Sequence, residues 1–120
     1  MIVDDDEDVI TTVKQGLETL THNLVITGVD SGKKCIDLLE KGNRPDIILL
    51  DIMLPEINGW QIYDYLKSKN ELSKIPIVFI TALDDEKTMK KGMETDAYCI
   101  HKPFNIEQLK EMIDSALGIF

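Results

Sequence analysis

The amino-acid sequence predicts one α/β domain whose core is a parallel sheet of five strands, each followed by a helix. Short apolar runs alternate along the 120 residues with stretches of helical periodicity, which is typical of β-α-β units and a parallel sheet. Two of these runs are apolar at successive positions, as expected of strands that are covered on both faces. A chain of this length forms one ordinary domain and buries a sufficient core without a metal ion or a disulfide.

Strands and helices are expected to alternate through the whole chain. We predict strands near residues 1–4, 24–28, 46–51, 76–81 and 97–101. We predict helices near residues 7–20, 31–41, 58–70, 85–93 and 105–117. Few apolar residues precede the first acidic one, so the first strand is short. We therefore expect that upstream residues of this strand have been removed or left unnumbered.

The first two helices are each predicted to turn one apolar stripe towards the core. In the first helix the stripe consists of Val9, Val13, Gly16, Leu17 and Leu20. In the second helix it consists of Cys35, Ile36, Leu38 and Leu39. Asp6, Glu7 and Asp8 suit the N-cap and first turn of the first helix, where carboxylates interact favourably with the helix dipole. Ser31 is a suitable N-cap for the second helix.

Glycine, proline and asparagine mark the remaining boundaries. Gly42-Asn43 follows the second helix, and Arg44-Pro45 favours an extended entry into the third strand. Asn58-Gly59 predicts a turn with positive φ before the third helix. Pro76 fits the fourth strand only as its first residue. The last helix is expected to direct these apolar side chains inward: Ile106, Leu109, Met112, Ile113 and Leu117.

Composition and charge exclude several classes of protein. No apolar run approaches the ~20 residues of a membrane span, and no signal-peptide pattern is present, so we expect a cytoplasmic protein without a membrane partner. The net charge of −9 repels phosphate backbones, which argues against direct binding to nucleic acid. Cys35 and Cys99 are far apart and form neither a CxxC pair nor a metal cluster. We expect two buried, reduced thiols.

Chemically useful side chains lie at the ends of four of the predicted strands. Asp4 ends the first strand and Asp5 follows it, Asp51 and Thr81 end the third and fourth, and Lys102 follows the fifth. The carboxyl ends of parallel strands are where ligands bind in an open α/β sheet. Carboxylates delivered there from two strands would share one negative pocket that suits a hard cation. The sequence thus predicts a metal ion, a nucleophile, a hydroxyl and a cationic group at one edge of the sheet.

The order and spacing of these motifs resembles the receiver domain of bacterial and archaeal response regulators, and the resemblance covers the whole chain. The motifs are Asp4-Asp5, Asp51 followed by Ile-Met-Leu-Pro and then Asn58-Gly59, Thr81-Ala82, and Lys102-Pro103-Phe104. The resemblance implies that residues 1–120 form one receiver domain. It also implies a flavodoxin-like, three-layer (βα)5 fold with strand order 2-1-3-4-5, whose ligand site lies between the first and third strands.

The resemblance also implies roles for the site residues. Asp51 would be the phosphoacceptor, and Mg²⁺ would be bound by Asp5, by Asp4 largely through water, by Asp51 and by the backbone carbonyl of Met53. Mg²⁺ favours such oxygen ligands, and the negative charge of a transferring phosphoryl group must be neutralised.

Three further residues would contact or shape the phosphoryl site. Lys102 would pair with the phosphoryl oxygens, with a cis bond to Pro103. Thr81 would hydrogen-bond the phosphoryl group, and the small Ala82 would leave room for it. Ile10, Pro55 and Phe104 either form a kinase-docking surface or simply pack.

The implied function is that of a two-component receiver. A sensor histidine kinase or a phosphotransfer protein would supply a phosphoryl group from phosphohistidine to Asp51 in a Mg²⁺-dependent reaction. The resulting conformational change would control an effector protein or a missing output domain. The domain would catalyse only its own phosphorylation and dephosphorylation, and would otherwise not be an enzyme. Because Met53 and Leu83 offer no group to position water, we predict slow self-dephosphorylation.

This chain departs from the family pattern at the switch and at the dimer face. Many receivers carry Tyr or Phe three residues before the active-site lysine, where this chain has Cys99, and the adjacent Tyr98 should face the other way. The only arginine is Arg44, so the arginine-rich dimer signature of transcription-factor receivers is absent. A weak homodimer remains an alternative to solvated faces, through basic residues of the fourth helix and acidic residues of the fifth: Lys87, Lys90, Lys91, Glu107, Glu111 and Asp114.

Three other functions are compatible with part of the sequence pattern. The main alternative is a receiver-like interaction module that works without phosphorylation and holds Mg²⁺ only. A haloacid-dehalogenase-type hydrolase fits Asp4-Asp5-Asp6 formally, but it needs Thr or Val where this chain has Asp8, and a longer chain. A calcium loop would need a following glycine and a final bidentate glutamate.

Overall fold

The five predicted strands form one parallel sheet in the order β2-β1-β3-β4-β5. The computed structural model describes residues 1–21, 23–82, 95 and 97–118. The strands are β1 (Ile2–Val3), β2 (Gly28–Val29), β3 (Ile48–Asp51), β4 (Ile77–Thr81) and β5 (Tyr98–His101). The helices of the described part are α1 (Glu7–Leu20), α2 (Gly32–Glu40), α3 (Gly59–Ser68) and α4 (Ile106–Leu117). The predicted flavodoxin-like topology is confirmed. The helix predicted near 85–93, which carries the three lysines, lies outside the described residues, and so does Leu83.

The register of the sheet aligns the carboxyl ends of the strands that carry the candidate residues. Val3 of β1 is opposite Leu50 of β3, one residue before Asp51. Asp51 is opposite Ile80, and Thr81 is opposite His101. The residues that follow β1, β3, β4 and β5 therefore come out at one edge of the sheet.

Helices cover both faces of the sheet and create two apolar clusters. Val3, Leu50 and Phe79 face the cluster on the side of α2 and α3. Their neighbours Ile2 and Leu49 face the cluster on the side of α1 and α4. The central strands β1, β3 and β4 are therefore apolar on both faces because each face is buried under helices, which confirms the prediction made for β3 and β4.

Side-chain caps fix where the helices begin. The Asp6 carboxylate accepts a hydrogen bond from the Asp8 amide at 2.9 Å, and the Ser31 hydroxyl accepts one from the Lys34 amide at 3.2 Å. Both N-caps agree with the prediction. Asn58 caps α3 in a reciprocal arrangement. Its side chain accepts a hydrogen bond from the backbone amide of the third helical residue, and the side chain of that residue accepts one from the Asn58 amide. Such caps satisfy amides that have no partner within the helix.

The glycine of the Asn58-Gly59 turn is required for a different reason from the predicted one. The positive φ in this loop belongs to Glu56, at 64°, whereas Gly59 is the first residue of α3. A Cβ at Gly59 would lie 2.5 Å from the carbonyl oxygen of Asp51 and 2.7 Å from the Cα of Ile52. Gly59 is thus needed because α3 begins directly against the end of β3.

Three predictions of burial or boundary are wrong. β2 starts later than the predicted 24–28, and Val25 is 90% exposed, because at this edge of the sheet only the short Gly28–Val29 segment pairs with β1. Leu20, the last residue of α1, is 48% exposed and does not join the core stripe. Cys99 is exposed, unlike the buried Cys35, because it lies on the edge strand β5. None of the described helices is long and apolar enough to cross a membrane.

Candidate functional site

The end of β1 delivers one buried and one exposed carboxylate. Asp4 directly follows the strand and is completely buried, whereas Asp5 is exposed. The Asp4 Oδ1 atom accepts a hydrogen bond of 2.9 Å from the Asp6 amide as the chain turns into α1. This bond leaves the second oxygen of Asp4 facing the other side chains of the site.

The end of β3 delivers a second buried carboxylate. Asp51 is 4% exposed, and its Oδ1 atom accepts a hydrogen bond of 3.0 Å from the Met53 amide. The loop is closed behind it by the Gly59 amide, which donates to the Ile52 carbonyl at 3.0 Å. Backbone contacts therefore hold Asp51 in position and fix one of its two oxygens.

Lys102 connects the two buried carboxylates. Its backbone amide donates to the Thr81 carbonyl at 2.8 Å, which extends the pairing of β4 and β5 by one residue. The next peptide bond, Lys102-Pro103, is cis, as predicted. The Lys102 Nζ atom lies 2.9 Å from Asp4 Oδ2 and 3.3 Å from Asp51 Oδ2. One ammonium thus bridges acids that are 47 residues apart in sequence.

The three acids form a set of ligands for a hard cation. Asp4, Asp5 and Asp51 each offer an oxygen atom within 4.8 Å of the others. Oxygen-only sets of this kind suit Mg²⁺ better than the soft or intermediate metals, which favour sulfur and nitrogen ligands. Two of these acids are buried and one is exposed, so solvent can reach the cluster from the side of Asp5. The donor set fits the predicted Mg²⁺ site, and the Met53 amide places the backbone of that residue at the cluster.

The electrostatics of the pocket favour an additional positive charge. Burial raises the pKa of Asp51, and the charge of Asp4 acts in the same direction, while the Met53 amide and Lys102 act against them. Burial alone would lower the pKa of Lys102, but the hydrogen bond that Lys102 donates to Asp4 and the charge of Asp51 raise it. Lys102 therefore stays cationic at neutral pH. The pocket thus contains three carboxyl groups and one ammonium, and a divalent cation would offset this excess of acidic groups.

Thr81 is the last residue of β4 and lies at the same edge of the sheet. It is 1% exposed, and its carbonyl holds the Lys102 amide, so the threonine and the lysine are fixed to each other through the backbone. His101, opposite Thr81 in the sheet, is exposed, and we assign it no role at the site. Ala82 is exposed at the end of the described segment.

The three residues considered for docking divide into two groups. Ile10 and Phe104 are half-buried and pack against the apolar cluster beneath α1 and α4. A Cβ at Gly28 would lie 2.4 Å from Ile10 Cγ2, which shows how closely that side chain is seated. Pro55 is exposed. Packing therefore accounts for two of the three.

Two structural contributions to the site are missing from the sequence interpretation. The amides of Asp6 and Met53 each hold an oxygen of the acid two residues earlier. The close approach of Gly59 to Asp51 lets α3 begin against the site. The two amide contacts have no side-chain signature. The glycine does, since it follows an asparagine at the start of a predicted helix.

Comparisons with known proteins agree with this geometry. The model of the response regulator receiver domain family matches residues 1–114. The polar-differentiation response regulator DivK of Brucella anthropi is 35% identical, with 98% of this chain and 94% of that protein covered. The receiver domain of a signal transduction histidine kinase from Syntrophus aciditrophicus has a similar structure, with a TM-score of 0.86, 27% identity, and coverage of 98% of this chain and 87% of that one. A response regulator structure from Chloroflexus aurantiacus, described as putative, gives a TM-score of 0.87 at 26% identity over 98% of this chain and 94% of that one.

Proposed function

The chain belongs to the response regulator receiver domain family, and from that premise we propose that Asp51 accepts a phosphoryl group from a phosphohistidine of a partner protein. The phosphodonor would be a sensor histidine kinase or a phosphotransfer protein in the cytoplasm. The modified domain would then control an effector protein or an output domain. The observation that carries this proposal is the Lys102 ammonium, which lies within hydrogen-bond distance of both Asp4 and Asp51.

The two oxygens of Asp51 have different partners, and this difference supports an assignment of the attacking atom. Oδ1 accepts the Met53 amide, whereas Oδ2 is bonded by Lys102 at the longer distance of 3.3 Å. We assign the attack on phosphorus to Oδ2. The phosphorus–nitrogen bond of the phosphohistidine breaks as the oxygen–phosphorus bond forms, and the bonding electron pair returns to the imidazole. The Lys102 ammonium is then placed to transfer its hydrogen bond to a phosphoryl oxygen.

The residues of this site would hold a metal ion that neutralises further charge. Asp4, Asp5, Asp51 and the backbone carbonyl of Met53 would hold Mg²⁺, which, when bound, offsets the negative charge of the transferring phosphoryl oxygens. The receiver itself contributes the position of Asp51, the cation of Lys102 and the hydroxyl of Thr81, which would hydrogen-bond the phosphoryl group. The chain would catalyse only its own phosphorylation and dephosphorylation.

The acyl phosphate on Asp51 is proposed to be long-lived. Met53 is 57% exposed beside Asp51, and its side chain offers no donor or acceptor able to orient an attacking water. We expect the phosphoprotein to persist for minutes or longer after the phosphodonor is removed. Intact-mass spectra taken at intervals would measure the decay, and complete loss of the added phosphoryl group within seconds would contradict this part of the proposal.

The switch is proposed to work without an inward-moving aromatic ring on β5. Cys99 stands at the position where many receivers have that ring, and the neighbouring Tyr98 donates its hydroxyl to the Ser115 carbonyl of α4 at 3.4 Å. Tyr98 is therefore anchored on the opposite side of the strand. The change that follows phosphorylation would start from Thr81 and the loop that leaves it.

A small phosphodonor tests the proposal directly. The chain is incubated with acetyl phosphate and Mg²⁺, and its intact mass is compared with those of Asp51→Asn and of Asp46→Asn, a matched control at the other end of the same strand region. We expect one phosphoryl group on the parent and on Asp46→Asn, and none on Asp51→Asn or without Mg²⁺. Mg²⁺ binding without any modification would instead favour the interaction module that works without phosphorylation.

A further inference from the structure

Exposed acids outside the metal-binding set lie at the start of α1 and in the loop after β3, at the edge of the sheet where the site opens. The side chains of Asp4 and Asp51 are only 1% and 5% exposed, so a phosphodonor reaches Asp51 through the opening at the carboxyl edge of the sheet. Four further carboxylates are exposed at this edge: the N-cap and the first two residues of α1 carry three of them, and the loop between β3 and α3 carries the fourth. We call them the acidic rim: Asp6, Glu7, Asp8 and Glu56.

The charge of the acidic rim is not cancelled within the described part of the chain. The pocket holds Lys102 with its three acids, and a bound divalent cation would bring that group close to neutral. The rim acids are outside the metal-binding set. Lys34 lies near enough to Glu7 for that carboxylate to help raise the pKa of Lys34, although the hydrogen bond that Lys34 donates to Asp30 is the larger cause. Its ammonium is already paired with Asp30 at 2.8 Å.

An apolar surface lies beside the rim. Met53 is 57% exposed, and Pro55 is also exposed, on the loop that carries Glu56. An exposed methionine next to the phosphoacceptor offers an adaptable apolar contact. The opening therefore combines a small apolar centre with a negative border, and a binding partner should match both.

Resting on the proposed function, we propose that the phosphodonor is a protein with basic side chains around its phosphohistidine, and that the acidic rim selects this donor over anionic ones. Complementary charge raises association rates by about 10-fold to 1,000-fold at low ionic strength. The same field repels a donor whose phosphoryl group is surrounded by acids. Because exposed charges are screened over about 10 Å at 0.1 M salt, the selection should weaken as salt is added.

Two synthetic phosphohistidine peptides of equal length provide the probe. One carries lysines around the phosphohistidine and the other carries glutamates at the same positions. Transfer to the chain in the presence of Mg²⁺ is followed by intact mass at about 20 mM and about 300 mM NaCl, where screening differs strongly. We expect the lysine peptide to transfer at least about 10-fold faster at low salt, and the ratio to fall towards one at high salt.

Two charge variants separate the rim from the total charge of the protein. The rim variant combines Glu7→Gln, Asp8→Asn and Glu56→Gln. Asp6 is kept, because it caps α1. The control variant makes the same change in net charge on other surfaces through Glu18→Gln, Asp46→Asn and Asp64→Asn. We expect the rim variant to lose most of the preference for the lysine peptide and the control variant to retain it.

Each outcome supports or overturns the inference. A preference that disappears with salt and with the rim variant supports it. Three outcomes would overturn the rim inference alone. These are equal transfer from both peptides, transfer from neither peptide while acetyl phosphate still modifies Asp51, and an equal loss of the preference for the lysine peptide in both variants. Failure of acetyl phosphate as well as both peptides would overturn the proposed function together with it.

Discussion

Replacing Gly59 by alanine tests how the end of β3 holds the phosphoacceptor. The new Cβ would lie 2.5 Å from the Asp51 carbonyl oxygen, whereas ordinary contact begins at 3.4 Å. The backbone must therefore move by up to about 0.9 Å, and overpacking of this kind costs about 1–3 kcal/mol. Alanine recovers up to about 1 kcal/mol of helix propensity. We expect a net loss of about 1–2 kcal/mol in the free energy of unfolding.

The same movement should disturb the chemistry, because Asp51 itself is displaced. A misplacement of about 1 Å at a reacting group can cost about 100-fold in rate, so we expect phosphorylation by acetyl phosphate to slow by about 10-fold or more. Stability is measured by urea unfolding with the fluorescence of Trp60, the only tryptophan. Its ring lies 4.6 Å from the ring of Phe79 in the core, so it reports on global unfolding.

Gly16→Ala is the matched control for this experiment. Its Cβ would approach Ile106 Cγ1 at 2.6 Å, but that neighbour is a side chain of α4 and can turn away. We expect a loss below about 1 kcal/mol, because helix propensity offsets part of the contact, with phosphorylation unchanged. If Gly59→Ala matched the parent in both stability and phosphorylation rate, the close approach would not be a constraint and the reasoning would be refuted.

Three further predictions concern the pocket, the core and the loops. Without divalent cations, Asp51→Asn should be more stable than the parent at pH 7, because burial raises the pKa of Asp51 and disfavours its ionised form. The difference in the free energy of unfolding should shrink towards about pH 4. A difference that stays constant in urea unfolding curves recorded at several pH values would contradict this. Leu17→Ala should lower the free energy of unfolding by about 2–5 kcal/mol and Leu20→Ala by less than about 1 kcal/mol. The reason is that Leu17 is completely buried whereas Leu20 is 48% exposed. Equal shifts of the urea midpoint in the two variants would be inconsistent with that packing. Arg44→Lys should cost about 1 kcal/mol in stability, because Arg44 Nη1 donates to two backbone carbonyls at 2.8 Å. Glu71→Gln should change stability by less than about 0.5 kcal/mol. A larger loss for Glu71→Gln than for Arg44→Lys in thermal unfolding would show that the exposed ion pair dominates.

Much of the fold could be predicted because its signals are local. The alternation of apolar runs with amphipathic periods is visible along the chain, and the helix caps at Asp6 and Ser31 act within three residues. The strand order followed from the family resemblance rather than from any pattern of residues. The boundary of β2 was wrong because pairing at an edge of the sheet depends on the partner strand, and no sequence signal ends the pairing at Gly28–Val29.

The errors of burial have a similar cause. Leu20 fits the helical stripe of α1 by periodicity, yet it is the last helical residue and is 48% exposed. Cys99 is an apolar-type residue in a strand, yet its strand lies at the edge of the sheet. Periodicity gives the direction of a side chain, whereas the position of its element in the fold decides whether anything covers it.

The sequence by itself indicated which chemical groups meet at this edge of the sheet and that each of them lies at the end of a strand. It identified Asp4, Asp5, Asp51, Thr81 and Lys102, and it indicated a hard cation among the acids. These conclusions needed only residue types, their order and the rule that parallel strands deliver their carboxyl ends to one edge.

Only the tertiary structure decided how these groups act on one another. The bridge from Lys102 to both carboxylates, the backbone amides that hold one oxygen of each, and the contact of Gly59 with Asp51 all depend on distances between separate elements. The raised pKa of Asp51 depends on the burial that this packing produces. Charge and hydrogen-bond energies vary with separation and solvent exposure, and both quantities are set when the sheet and its helices pack together.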